Sequence, residues 1–160
     1  MHFVKLQNLQ KHRTMDAKSF YINYDVFLAM ASQPKSYINK WNGSQFVQFK
    51  TILTSGARAL HPFVMCGQTF LGVADQYRTK TELYRFSAPG QFTKYQELST
   101  FGANMTSFKY KGHTYLAIAN FGKNQRNIES TVYKWILKEC LYIYLIVHVI
   151  RSRCSLTLLL

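Results

Sequence analysis

Aromatic residues recur in pairs seven positions apart: Phe20 with Phe27, Phe63 with Phe70, and Phe108 with Tyr115. Within the later two pairs Gly67 and Gly112 stand at the same offset, followed by Gln68 or His113. Glycine supplies the positive φ that a two-residue turn needs, so each stretch reads as a tight β-hairpin. In the first pair Asn23–Asp25 provides the turn. A chain that repeats its hairpins in register is an array of one supersecondary unit, and that restricts its fold more than any single residue does.

The unit extends on both sides of the hairpin. Upstream, Phe3–Leu9, Phe46–Ile52 and Phe92–Leu98 align, each with apolar or aromatic residues at i, i+3 and i+6. The second and third copies continue with TSGA (Thr54–Ala57) and TFGA (Thr100–Ala103), where the first has HRTM. Trp41, Phe86 and Trp135 close the successive copies. The period is about 45 residues, which divides the chain into units 1–41, 42–86 and 87–135. A tail, 136–160, carries no repeat.

Each unit predicts four short strands, placed in the second copy near Phe46–Ile52, Leu60–Cys66, Thr69–Ala74 and Glu82–Phe86. The third is almost continuously apolar, as expected of a strand covered on both faces. Its small residues, Gly72 and Ala74 or Ala117 and Ala119, suit a place where neighbouring sheets approach closely. The last strand alternates, with Tyr84 and Phe86, or Tyr133 and Trp135, on one side and Arg85 or Lys134 on the other. Four strands per unit at this period predict an all-β fold of β-propeller blades. A β-sandwich is the alternative. Helical repeats are excluded by the absence of amphipathic windows of helical length.

Composition narrows the functional classes. The net charge of +13 favours acidic partners, but the basic residues are scattered and read as a solvated surface. The aromatics fall at repeated, core-like positions, which argues against a base-stacking groove for nucleic acid. The acidic residues lie in loops and on strand exteriors, and Asp75, aligned with Asn120 and Ser32 after an apolar strand, is expected to cap a turn. His61 and His113 are read as loop residues without partners at metal-ligand spacing. Cys66 is read as a buried thiol in an apolar run, and Cys140 and Cys154 fall in the tail. No catalytic, cofactor or metal site is predicted.

The combined pattern F-x-x-[FY]-[KQ]-x-[IL]-x-T-x-G-A, then F-x-x-x-G-x-x-[FY]-L-x-[VI]-A-[ND], then [LV]-Y-[KR]-[FW], resembles the EAR (epitempin, EPTP) repeat across residues 1–135. The resemblance implies blades of a seven-bladed propeller, no enzymatic activity, and a role as an extracellular or cell-surface protein-binding module. It further implies signalling or adhesion in sensory or epithelial development, with Notch among the pathways. Two alternatives stand beside it: a secreted synaptic ligand of the glioma-inactivated type that binds a disintegrin-like receptor, and a module that binds polyanions of the heparan sulfate kind.

An extracellular module draws attention to two sequons, Asn42 in NGS and Asn104 in NMT, both expected in loops. Partner contacts are expected on two variable loops, through Gln76, Tyr77, Arg78 and Lys80 in the first and Lys123, Asn124 and Arg126 in the second. The N-terminus has no continuous apolar segment of the signal-peptide kind, so a secreted protein with this sequence is expected to be a fragment. The apolar run of the tail is too short for a membrane span and is read as the product of a truncated coding sequence.

Overall fold

The computed structural model describes residues 2–9, 13–87, 90–121 and 129–136. Among them the regular structure is entirely β. A first sheet contains β1 (Asp16–Ile22), β2 (Asp25–Ala31), β3 (Lys35–Trp41) and β4 (Phe46–Leu53). A second contains β5 (Ala57–Met65), β6 (Gln68–Asp75), β7 (Lys80–Ser87) and β8 (Gln91–Ser99). A third contains β9 (Gly102–Tyr110), β10 (His113–Asn120) and β11 (Thr131–Lys134). Each is an antiparallel meander in chain order, the arrangement of successive propeller blades.

The recurrent aromatic spacing is a register. Around the first turn the closing pair is Ile22 with Asp25, and two rungs further out Phe20 meets Phe27. Phe63 meets Phe70 and Phe108 meets Tyr115 in the same way. The paired rings lie 5.4, 5.6 and 5.1 Å apart, at 18°, 21° and 7° to each other. Such cross-strand pairs contribute about 0.2–1 kcal/mol each. The turn residues are Cys66–Gly67 (φ 50° and 72°) and Lys111–Gly112 (46° and 77°), with Asn23 at 55° in the first hairpin. Gln68 and His113 therefore open strands rather than complete turns. Cys66 is exposed in its turn and disulfide-bonded, contrary to the buried thiol expected of it. His61 and His113 likewise belong to strands, β5 and β10, not to loops.

The core is the space between sheets. One cluster joins Phe20, Phe27, Ala29, Ala31 and Ile38 of the first sheet to Leu60, Leu71, Val73 and Phe92 of the second. Another joins Phe63, Met65, Phe70, Ala74 and Leu83 of the second to Met105, Leu116 and Ile118 of the third. Each sheet thus has a front face, turned to the next sheet in the chain, and a back face turned to the one before. Along β6 the assignment alternates with the pleat: Phe70, Gly72 and Ala74 face forward, Leu71 and Val73 backward. A Cβ at Gly72 would meet the Met105 sulfur at 2.5 Å, so the small residues of this strand let the sheets approach. Polar ties span the same gaps: the Leu60 N–H donates to Asp16 Oδ2 at 3.0 Å, and His61 Nε2 lies 2.9 Å from Ser107 Oγ.

Repeat and sheet are out of phase by one strand. β4 opens a sequence repeat, yet it pairs with β3 and forms the outer edge of the first sheet; β8 does the same for the second. The third member of this set, Phe3–Leu9, is not a strand. Its Gln7 side chain brackets the Phe46 backbone, accepting from its N–H at 2.9 Å and donating to its carbonyl at 3.0 Å, while Phe3, Val4 and Leu6 are exposed. Residues 137–160 are outside the description; among the described residues no helix is long and apolar enough to cross a membrane.

Gly102 lies at a closely packed crossing from the second sheet to the third. A Cβ there would meet Thr81 Oγ1 at 2.8 Å, Ala74 Cβ at 3.0 Å and Ile118 Cγ2 at 3.2 Å. Overpacking costs about 1–3 kcal/mol, against about 0.4–1 kcal/mol that Gly→Ala gains by restricting the unfolded chain. Gly102→Ala is therefore expected to lower the urea midpoint of unfolding, and an unchanged or raised midpoint would show that the sheets can part to admit a methyl group.

Candidate interaction surface

In a meander, the β2–β3 and β6–β7 loops and the crossings from β4 to β5 and β8 to β9 all emerge at one end of the stack. Hydroxyl residues lock this end. Thr54 Oγ1 donates to the Ser32 carbonyl at 3.0 Å and lies 3.3 Å from Ser36 Oγ, and Thr81 and Thr100 pair their hydroxyls at 2.8 Å, all of them buried. Asp75 holds the crossing most firmly. Its carboxylate accepts the N–H groups of Ser55 at 2.6 Å, Gly56 at 2.9 Å and Arg78 at 3.3 Å. This is the side-chain-to-backbone capping expected of it, in charge-assisted form.

Arg78 is the outward arm of that clamp. Its Nε donates to Ser55 Oγ at 2.9 Å, its Nη1 to the Leu53 carbonyl at 3.2 Å, and Nε lies 3.7 Å from Asp75 Oδ2. Tyr77 lies beside Gly56, whose missing Cβ leaves room for the phenol ring. Gln76 is buried and donates from Nε2 to the Phe121 carbonyl at 2.9 Å, joining the loop of the second sheet to that of the third. At this end Leu53 (64% exposed), Tyr77 (57%) and Phe121 (55%) are exposed together with Arg78, whose guanidinium is held by Ser55 Oγ and the Leu53 carbonyl. Lys35, exposed and paired with Leu53 across the strands, adds a second positive charge.

The residues singled out in the sequence fall in different places. Tyr77 and Arg78 are exposed on this surface, while the Gln76 side chain is taken up by the contact between loops. Lys80 lies in β7 and binds Glu97 at 2.8 Å and Glu82 at 3.2 Å. Lys123, Asn124 and Arg126 lie outside the described residues. Phe121 opens the second of the loops expected to make contacts, whereas Leu53 was not singled out: it ends an apolar run that reads as strand interior, and exposure at a strand end has no periodic signature. Asn42 occupies an exposed turn between β3 and β4, where its Oδ1 accepts from Ser44 N, Ser44 Oγ and Gln45 N at 3.1, 3.1 and 2.9 Å. Asn104 is in strand β9 rather than a loop, exposed, with its Oδ1 accepting the Met105 N–H at 2.8 Å. Among the described residues no group of three or more His, Cys, Asp or Glu side chains is arranged to hold a metal ion.

Lys80 belongs to a charge network at the outer edge of the second sheet. Hydrogen bonds from Lys80 and then Lys94 hold the Glu97 carboxyl down to about 2, from an ordinary 4.5. Burial alone would raise the Glu82 carboxyl, but hydrogen bonds from Lys94, Tyr84 and Lys80 outweigh it and leave the group below its ordinary value. Carboxyls depressed in the folded state stabilise it above their unfolded pKa, and that stability is lost as pH falls through the folded value. Stability is therefore expected to decline between about 4.5 and about 2, and Glu97→Gln to flatten that slope in urea unfolding followed across pH. A slope unaltered by the substitution would place the acid sensitivity elsewhere.

The sequence matches the EPTP domain family over residues 2–42 and 91–136, together more than half of the chain. Both segments run in the phase of the sequence repeat; the second takes the outer strand β8 with β9–β11 of the following sheet. Two curated relatives bear the name thrombospondin-type laminin G domain and EAR repeat-containing protein. The mouse protein is 27% identical over 148 residues, and the human protein is 29% identical over 148 residues. Either alignment covers 82% of this chain but 22% of the relative, so the chain spans about a fifth of those proteins. The repeated hairpins, the stacked sheets and these matches together show that the chain belongs to the EPTP (EAR) repeat family of protein-interaction modules.

Proposed function

We propose that this chain is a non-catalytic, extracellular or cell-surface binding module that contacts its partner through the loop end of the sheets. The observation that carries the reading is the exposure of Leu53, Tyr77 and Phe121 together with Arg78 at that end. Interface hot spots are enriched in Tyr and Arg, and an arginine already held by Ser55 and Leu53 loses little further freedom on binding. With Lys35 and Arg78 both positive, the partner surface is acidic. Lys123, Asn124 and Arg126 are included in the proposed contact as members of the loop that follows Phe121. A place in signalling or adhesion during sensory or epithelial development, with Notch as one pathway, is part of the same proposal and is drawn from the family resemblance.

A polyanion such as heparan sulfate is the second reading, favoured by the net charge of +13. The two separate by their sensitivities, since phosphate- or sulfate-dominated binding weakens steeply with salt whereas an apolar hot spot does not. Labelled protein is expected to bind epithelial cells after heparan lyase digestion but not after surface proteolysis. The combined variant Tyr77→Ala, Arg78→Ala, Phe121→Ala is expected to bind at least about tenfold more weakly, roughly 1.4 kcal/mol. Binding abolished by the lyase and spared by the triple variant would establish the polyanion reading instead.

An extracellular module meets the glycosylation machinery. Asn42 is the sequon we assign to it: the turn is open, and the Asn42 carboxamide is already held by the Ser44 hydroxyl. Asn104 lies within a strand on a sheet face. Secreted behind a borrowed signal peptide, the chain is expected to lose mass on glycosidase treatment, and Asn42→Gln to abolish the change while Asn104→Gln leaves it. The reverse pattern, or no change in the parent protein, would overturn the assignment.

A further inference from the structure

We propose that Asn42–Gly43 is a site of spontaneous deamidation, at which an asparagine that carries no glycan is converted to aspartate or isoaspartate through a cyclic imide. Asn42 is the only asparagine of the chain that is followed by glycine. Residues 42–45 are all exposed. Gly43 has a φ of 102°, and a Cβ built on it would meet nothing within 4 Å. Its backbone nitrogen, the nucleophile, therefore has neither a side chain of its own nor a neighbour to hinder it on that side. The electrophile is the Asn42 carboxamide carbon, and the turn activates it. Two backbone N–H groups and one hydroxyl, from Ser44 and Gln45, converge on Asn42 Oδ1. That oxygen carries the negative charge once the nitrogen adds, and donors already aimed at it favour the charged form over the neutral amide.

A proton leaves the Gly43 N–H for solvent, and the nitrogen bonds to Asn42 Cγ as the carbonyl electron pair moves to Oδ1. Return of that pair breaks the Cγ–Nδ2 bond, and Nδ2 takes up a proton from water and departs as ammonia. Water then opens the imide at either carbonyl. One product is aspartate; the other is isoaspartate, with the main chain rerouted through Cγ. Nothing is oxidised or reduced. Asn104 shows the contrast. Its Oδ1 accepts the N–H of Met105 at 2.8 Å, so the nitrogen that would have to attack is already engaged, and Met105 is buried between sheets. Conversion at position 42 lowers the net charge of +13 by one, since a neutral amide becomes a carboxylate. It also removes the glycan acceptor, while a glycan on Nδ2 retains the nitrogen that would be lost. The two fates exclude each other.

The test is peptide mass spectrometry on residues 1–160 made without glycans and held in mildly alkaline buffer, with isoaspartyl methyltransferase as the probe for the rearranged product. The peptide that spans position 42 is expected to convert from amide to acid faster than the peptide that spans Asn104, and to accept methyl groups. Ser44→Ala removes one donor from Oδ1 and is expected to slow conversion about threefold or more, the factor a hydrogen bond contributes in water. In unfolding urea that difference is expected to vanish, because the turn no longer aims the hydroxyl. An unchanged Asn42 peptide, or one that converts no faster than Asn104, overturns the proposal. So does a Ser44→Ala variant that reacts at the parent rate when folded, or that lags equally in urea, since the turn would then contribute nothing.

Discussion

The whole arrangement depends on how closely one sheet can approach the next. A column of small residues on the second strand of the first two sheets, Ala29 and Ala31, then Gly72 and Ala74, sets that distance. It leaves room for Met105 to reach the Gly72 backbone and for Leu71 and Val73 to bury completely. Around the column, the stacked pairs Phe20–Phe27 and Phe63–Phe70 supply apolar area, at about 25 cal/mol for each Å² removed from water. Neither element suffices alone. Without the small residues the rings would hold the sheets apart, and without the rings the close approach would bury too little surface.

Much of this was legible in the sequence, and the reason is geometric. Strand pairing around a two-residue turn converts a fixed spacing directly into contact, so a spacing of seven places Phe63 opposite Phe70. The apolar third strand and the capping role of Asp75 follow from equally local rules. The phase of the repeat was not legible. Periodicity shows that Phe46–Leu53 and Gln91–Ser99 are alike, but it cannot say whether such a strand pairs with the unit before it or the unit after it. That depends on which open edge lies nearer, a tertiary fact. The same blindness put Asn104 in a loop, because the TFGA stretch carries turn-forming glycine yet enters a strand at Gly102.

The candidate surface was half legible. Tyr77 and Arg78 stood out because a variable loop between conserved-length strands is where a rigid scaffold presents its contacts. Gln76 and Lys80 shared that loop's polarity, yet the fold uses both, one for a contact between loops and the other for a charge network with Glu82 and Glu97. Polarity alone does not separate a side chain that faces solvent from one that ties two elements together. Leu53 and Phe121 carry the opposite lesson: both are apolar yet exposed at the loop end, Leu53 as the last residue of β4 and Phe121 just after β10.

The offset between repeat and sheet is the central claim, and hydrogen exchange tests it most directly. Phe3–Leu9, Phe46–Leu53 and Gln91–Ser99 share one sequence pattern, but only the last two are hydrogen-bonded into a sheet, as β4 and β8. Exchange followed by mass spectrometry is predicted to show slow amides in β4 and β8 and fast amides across residues 3–9. Protection shared equally by all three segments, or absent from β4 and β8, would contradict the account and place the sheet boundaries where the sequence repeats begin.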